Sequence, residues 1–557
     1  MPSGIFGISS LGLNAAQLGI RTTQNNISNV NTLGYHRQGS NFATTLPNLT
    51  GSGSIGSGVN VPGLSRSYDR FLENELLFSQ SQLARHEAYS NYASRIDSVL
   101  GGEDSGLNSV LNKFFSSVNE VANAPTSLVA RQAMLTTGTN LTRRFGDLDQ
   151  VIKNTQQSLN QQMQGIATQV TNYARQIAEI NTKVNTLQTT GSDLATNGLL
   201  DQRDQLAAEI NKLVGANVVV QTDGSYNLFI GSGQSLVAGG HANSMSVVAD
   251  PNDPTQKLPA LRVGSSDIAL GGEQITGGML GGLLAFRDDV LIPSQRQLGS
   301  IAFSLVSEFN AQHALGFDLD GVAGGDFFSP PAVQAASGNT GNAIFKVSID
   351  NSNLMSDGGY QLDWDGTDYS LTRLSDATVF TGASLAALNT AIAGEGLSIS
   401  QVANGGVIAI GDSYDVRSIK SAAYGLSVAV SGPDEIAAAG DDPGELGLQS
   451  LGPGDNSNAL SLAGLQMAEV LEGSSTLGST YNQLVSNNAA LASSADINVT
   501  AYDSLTQQAT AAQQSFSGVN LDEEAANLIQ YQQAYQASAR AMQIASSLFE
   551  EILSIAR

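Results

Sequence analysis

Four histidines (His36, His86, His241, His313) and 50 carboxylates in 557 residues are the groups able to move protons or bind metal, and cysteine is absent. Without thiols there are no disulfides, thiol nucleophiles or cysteine-ligated zinc. His86-Glu87 begins as a zinc-protease helix would, but Ser90 stands where the second histidine is required. Asp318-Leu319-Asp320-Gly321, with Asp326 nearby, offers oxygen ligands yet lacks the spacing and closing glutamate of a calcium loop, and reads as a polar turn. Asp363-Trp364-Asp365-Gly366 reads as a hairpin turn supported by the single tryptophan. His313 reads as a capping or packing residue. Asp288-Asp289 are neighbours on a helix and point in different directions, so they form no acid–base couple. There is no phosphate-binding loop and no nucleophile elbow. The expectation is a non-enzyme with no catalytic residue, no metal ligand and no cofactor.

Charge narrows the partners. Basic residues number 25, giving a net charge of −25, which disfavours nucleic acid and anionic membrane. No apolar run reaches the ~18 residues needed to span a bilayer. No basic residue precedes Arg21, so the N-terminus does not read as a Sec-type cleaved signal peptide. Charged residues are only 13% of the chain, so its surface is amide-, hydroxyl- and glycine-rich, suited to packing against copies or partners.

The elements that must position these residues are mostly helical. Phe6, Leu13, Ile20 and Ile27 form one seven-residue row, with Ser9, Ala16, Thr23 and Val30 as a small-residue companion. Leu521, Leu528, Tyr535, Met542 and Phe549 repeat the spacing near the other end, behind Asp522-Glu523-Glu524 in a first turn. From Leu148 to Leu187 apolar residues recur at alternating steps of four and three, predicting a long bundle helix. Asp223-Gly224 between two short apolar runs predicts a hairpin, and Tyr360–Thr372 another. Residues 301–450 hold 18 acidic and 4 basic side chains, fitting a solvated outer unit. The expected fold is multidomain α + β: terminal α-helical coiled-coil regions, an elongated helical bundle, and inserted, mainly antiparallel β domains. The expected parts are 1–60 with 515–557 (terminal assembly core), 61–216 with 276–317 and 455–514 (bundle), 217–275 (small β insertion) and 318–454 (acidic outer β region).

Asn25–Tyr35, NNISNVNTLGY, resembles the N-terminal signature of bacterial flagellar axial proteins, with Leu33 where that family usually has proline. Ser517–Gln543, Gly198–Gly215 (GLLDQRDQLAAEINKLVG) and Gly281–Phe328 resemble segments of the hook–filament junction family. The resemblance implies a secreted structural protein, exported by the flagellar type III route, that self-assembles as a ring at the hook tip. It implies terminal regions that order as paired helices on assembly. The implied partners are further copies, the hook protein, the third hook-associated protein, and an export chaperone at the C-terminal helix.

The implied assembly interface comprises Phe6, Leu13, Ala16, Ile20, Asn25, Asn26, Ile27, Asn29, Val30, Asn31, Gly34 and Tyr35. On the C-terminal helix, where the chaperone would also bind, it comprises Leu521, Leu528, Tyr535, Met542, Phe549 and Leu553. Two alternatives stay open: another axial protein (hook or distal rod), or a flagellum-displayed adhesin acting through the outer β region.

Overall fold

The computed structural model describes residues 4–555 except 47, 51–52, 103–105, 190–195, 251–255, 330–333, 336–338, 344, 350–353, 355–358, 375, 402–405, 417–421, 443–448 and 472–474. Helix α1, Ile5–Ser28, leads into an antiparallel hairpin of strands Gln38–Thr44 and Val59–Arg66. Its strands are largely exposed and do not alternate cleanly, which is why periodicity gave no sign of them.

The bundle follows: α2 (Arg70–Leu100), α3 (Leu107–Asn123), α4 (Leu128–Thr189) and α5 (Asn197–Val214). Asp69 caps α2 by accepting from Phe71 N and Leu72 N. Helix α4 runs 62 residues, about 93 Å at 1.5 Å per residue. It starts twenty residues before the stretch its strongest periodicity marked. Leu148, Ile152, Leu159, Met163, Ile166, Val170, Ile177 and Val184 along it are all at least 97% buried. After a β excursion come α6 (Gly278–Phe286) and α7 (Ile292–His313), joined by a π turn at Arg287–Leu291. Pro293 explains that turn, since it has no N–H for the carbonyl one turn back and the helix widens to accommodate it. Helix α8 (Leu385–Ala391) lies in the outer unit, and α9 (Ser457–Gly464) and α10 (Leu477–Ser517) return to the bundle. Helices α2 and α10 run antiparallel: Tyr481 Oη donates to Leu100 O at 2.7 Å, His86 stacks on Tyr502, and Ser90 bonds Asp496. Gly518 takes an extended conformation (φ −72°, ψ 161°), separating α10 from the last helix, α11 (Leu521–Ile555).

Residues 217–269 form a four-stranded meander and a three-stranded antiparallel sheet. The predicted hairpin is present, with Asp223 Oδ1 accepting from Ser225 N beside Gly224 at φ 76°. Tyr226, Leu228, Ile230, Leu261 and Leu270 belong to the same core as α4 and α7, so this β insertion is laid onto the bundle.

The stretch 318–454 divides between two cores. Phe327, Phe328, Ala423, Leu426, Ile436 and Ala438 join the bundle core. A separate core of twelve residues lies between Ala343 and Val416. It sits under a five-stranded antiparallel sheet ordered Gln334–Ala335, Ser413–Val416, Tyr360–Trp364, Tyr369–Arg373, Thr378–Gly382, with Phe345–Ile349 paired to Leu397–Gln401 beside it. Among the described residues, the bundle core contains none before Ala88 or after Ala492. The terminal helices therefore stand outside it.

Candidate functional site

Helices α1 and α11 pack against each other as an antiparallel pair. A Cβ placed on Gly12 would lie 2.9 Å from Ser538 Oγ, and one on Gly19 would lie 2.8 Å from the Tyr531 ring. Asn26 Nδ2 donates to Glu524 Oε2 at 3.1 Å. These contacts step by seven residues up one helix and down the other. The buried residues of α1, Ser9, Ala15, Ala16, Gly19, Thr22, Thr23 and Asn26, are small or polar, and Thr22 among them faces the hairpin, where its Oγ1 accepts from Ser40 Oγ. Glycine at 19 is required, because a side chain there would meet the base of the Tyr531 ring and push the axes apart, whereas at Gly12 the nearest atom is the rotatable Ser538 hydroxyl.

The large apolar rows lie to the side of this contact. Phe6 (54% exposed), Leu521 (51%), Tyr535 (37%) and Phe549 (62%) remain open, while Leu13, Ile20, Ile27, Val30, Leu528 and Met542 are half-buried. The Leu553 side chain lies outside the described residues. Two predicted residues, Ala16 and Asn26, are buried inside the chain's own helix pair.

Asn26 is the hub of the signature stretch. Its Oδ1 accepts from Tyr35 Oη at 2.7 Å and Gln38 N at 3.0 Å, and its Nδ2 donates to Gln38 O at 2.8 Å as well as to Glu524. All four hydrogen-bonding positions of a buried amide are thus used, as burial demands. Asn25 Nδ2 donates to Tyr35 Oη, Asn29 Nδ2 donates back to Asn25 O, and Thr32 Oγ1 donates to Asn29 Oδ1. Together they end α1 and turn the chain, with Gly34 in the left-handed region at φ 74° and Asn31 exposed. Burial, then the carboxylates of Asp201 and Glu524, push the Tyr35 hydroxyl up to about 12. Arg37 spans the two termini: Nε meets Glu524 Oε1 at 2.9 Å, Nη1 meets Glu523 Oε2 at 2.8 Å, and its N–H donates to Ser517 O.

Where this pair meets the bundle, the contact is polar. His36 Nδ1 lies 2.8 Å from Asp201 Oδ1, and Arg66 Nη1 lies 2.7 Å from both Asp201 Oδ1 and Asp204 Oδ2. Burial works against the Arg66 charge, but Asp204 and Asp201 outweigh it and hold the guanidinium above its ordinary value. Tyr226 Oη donates to the other oxygen of Asp204, the His36 ring lies against Tyr68, and Arg66 sits over the Tyr68 ring. Burial and then Asp204 raise the neighbouring Glu73 carboxyl. His36, Asp201 and Asp204 carry metal-ligand atoms within 4.8 Å of one another. Arg66 already occupies the position between the carboxylates, so the cation this site holds is a side chain. A cleft of about 660 Å³ opens beside it, lined by residues 29–37 and by α2, α5, α10 and the start of α11.

The groups weighed for chemistry are engaged otherwise. Asp318 Oδ1 accepts from Asp320 N and Val322 N, closing a turn. Asp365 Oδ1 does the same for Thr367 and Asp368, and Trp364 packs on Tyr369 with ring centroids 4.3 Å apart. His313 uses both ring nitrogens on backbone: Nδ1 with Gly325 O at 2.7 Å and Nε2 accepting from Ala437 N at 2.9 Å. Asp288 pairs with Arg287.

Sequence reasoning missed Gly12, Gly19, Arg37, Glu524 and Tyr531. For all but Arg37 the signal was present as a second seven-residue register, Gly12–Gly19–Asn26 against Glu524–Tyr531–Ser538, masked because most of those residues are not large and apolar.

Comparison with known proteins places this geometry. Residues 93–328 match the family described as flagellar hook-associated protein FlgK helical domain, 334–418 match the flagellar hook-associated protein 1 D2-like domain, and 512–555 match the flagellar basal body rod FlgEFG protein C-terminal family. Flagellar hook-associated protein 1 of Salmonella typhimurium is 34% identical over 557 residues, covering 99% of this chain and all of that protein. The Bacillus subtilis protein of the same name is 24% identical over 588 residues, covering 100% and 99%. The solved structure of the hook junction protein FlgK from Burkholderia pseudomallei superposes with a TM-score of 0.63 at 25% identity, over 80% of this chain and all of that one. Among the described residues no helix is long and apolar enough to cross a membrane.

Proposed function

The chain belongs to the flagellar hook-associated protein 1 family, and from that premise we propose that it is a structural subunit of the flagellum, forming the junction between hook and filament. It assembles with copies of itself as a ring on the hook tip, carrying the next hook-associated protein on its far side. The observation that carries this reading is the α1–α11 pair. The pair closes on its small and polar faces and leaves Phe6, Leu521, Tyr535 and Phe549 uncovered. A single chain has no use for that arrangement, whereas a packed ring covers the open rows with neighbours. Before assembly, the same C-terminal rows suit an export chaperone. The non-enzymatic reading fits Asp318, Asp365, Asp288 and His313, which close turns, pair with Arg287 or bond backbone.

Electron microscopy of cells lacking the gene, with flagellin assayed in the medium, tests it. Bare hooks with secreted flagellin are expected, because hook growth and export proceed while filament nucleation fails. Missing hooks would move the protein to the hook or rod, and normal filaments would overturn a junction role.

A further inference from the structure

We propose that Asp201 and Asp204 of α5, with Arg66 and His36, form a charge-locked joint that fixes the orientation of the terminal helix pair on the bundle. The inference concerns the chain itself and goes beyond its place in the flagellum.

Three observations carry it. First, among the described residues the two parts share no hydrophobic core, since the bundle core begins at Ala88 and ends at Ala492. Non-directional apolar packing therefore does not set their angle. Second, what crosses the boundary is directional. One guanidinium nitrogen is shared by two carboxylates at 2.7 Å each, an imidazole bonds the first, and Asn197 Nδ2 reaches Leu64 O. Asp201 and Asp204 are three apart on α5, so both carboxylates face the same side and present one socket. Third, the network continues into the bundle-proximal end of the pair, the last turn of α1 and the first turn of α11. Arg37 follows His36 and holds Glu523 and Glu524, while Glu524 holds Asn26. Pairing of α1 with α11 thereby aims His36 and Arg66 at the socket.

Asp204 also accepts from Tyr226 of the β insertion, so the socket is braced from behind. Buried charges of this kind add little net stability but penalise every geometry in which one partner is left alone, which gives orientation rather than strength. This assigns a role to the acidic pair in the GLLDQRDQL stretch that assembly by the terminal rows does not use.

The chain has no cysteine, so Leu33→Cys with Gln205→Cys supplies a unique thiol pair. Both side chains are exposed and outside the cluster, and a Cβ on the adjacent Gly34 would lie 3.7 Å from Gln205 Cβ. Flagella isolated from cells carrying this chain are treated with a short bismaleimide, and intramolecular crosslinking is read on a denaturing gel. Efficient crosslinking is expected in the otherwise unaltered chain. Loss is expected in Asp204→Asn, which keeps the shape and removes the charge, and in Arg66→Met. Equal crosslinking in all three would overturn the joint. The thermal midpoint of the bundle is measured alongside, and early bundle melting together with crosslink loss would assign the cluster to bundle stability and also overturn it. If the chain is absent from flagella, the junction reading fails, and the same comparison on purified protein decides the joint by the same criterion.

Discussion

His313 is held neutral by its bonds. Nε2 accepts from Ala437 N, and a protonated ring would have no lone pair for that N–H. Burial lowers its pKa from the ordinary histidine value, and the bond to Gly325 only partly opposes this, with Asp326, Arg131 and Asp318 the charged groups around it. Because the folded value lies below the unfolded one (about 6.5), the stabilisation is complete above that pH. It is lost as pH falls toward the folded value, at up to about 1.4 kcal/mol per pH unit. Urea unfolding at pH 7.5 and 5.5 should show this loss, and His313→Gln, which does not titrate, should have a flatter pH dependence. An equal slope in the variant would remove His313 as the cause. His313 reads from the sequence as a capping or packing residue, but its partners lie 12 and 124 residues away and no local pattern encodes them. The same distance hid Glu524 from Asn26, whereas the turn bonds of Asp318 and Asp365 were legible because they close within four residues.

Helix α1 shows how a periodic pattern can be right about spacing and incomplete about facing. The seven-residue rows of large apolar residues are present, but the closest helix contact uses the neighbouring register, where Gly19 meets Tyr531. In an exposed helix, Gly→Ala stabilises by about 1 kcal/mol. At Gly19 the added Cβ would sit 2.8 Å from the ring, so the helices must part and the sign reverses. Gly19→Leu should therefore prevent incorporation into flagella by breaking the pair within each chain. Phe549→Asp should prevent it differently, leaving the pair intact and placing a charge on the outward row. Helical content of the variants, compared with their incorporation, separates the two. Normal incorporation of Gly19→Leu would remove the close α1–α11 approach, and normal incorporation of Phe549→Asp would remove the outward row. Helix α4 was legible for a simpler reason: it is buried along one stripe for most of its length, and burial is what periodicity reports.

On the scale of the whole molecule, the two cores allow the outer unit to be treated as a separable insertion. None of its core residues between Ala343 and Val416 belongs to the bundle core. The chain leaves and re-enters the bundle at neighbouring points, with Ser329 N donating to Ser427 O at 2.9 Å and Ala429 N donating to Phe327 O at 2.8 Å. The aromatic cluster of Phe114, Phe309, Phe327 and Phe328 and the Arg131 bond to Ile436 O lie on the bundle side of that crossing. Replacing 334–416 by a short glycine linker keeps Ala423 and Leu426 of the bundle core and asks the chain to close only a short gap, since Gln334 and Asp415 are strand partners, and loop closure over a few residues is inexpensive. The shortened chain should keep the thermal midpoint of the bundle and still restore filaments to cells lacking the gene. If filaments form but attachment of the cells to a surface is lost, the outer unit carries a binding role in addition to the junction. If the bundle melts early, the acidic outer unit stabilises it through contacts beyond the hydrophobic cores. If the bundle is stable and filaments fail, the outer unit belongs to the junction itself, packing against its neighbours in the ring.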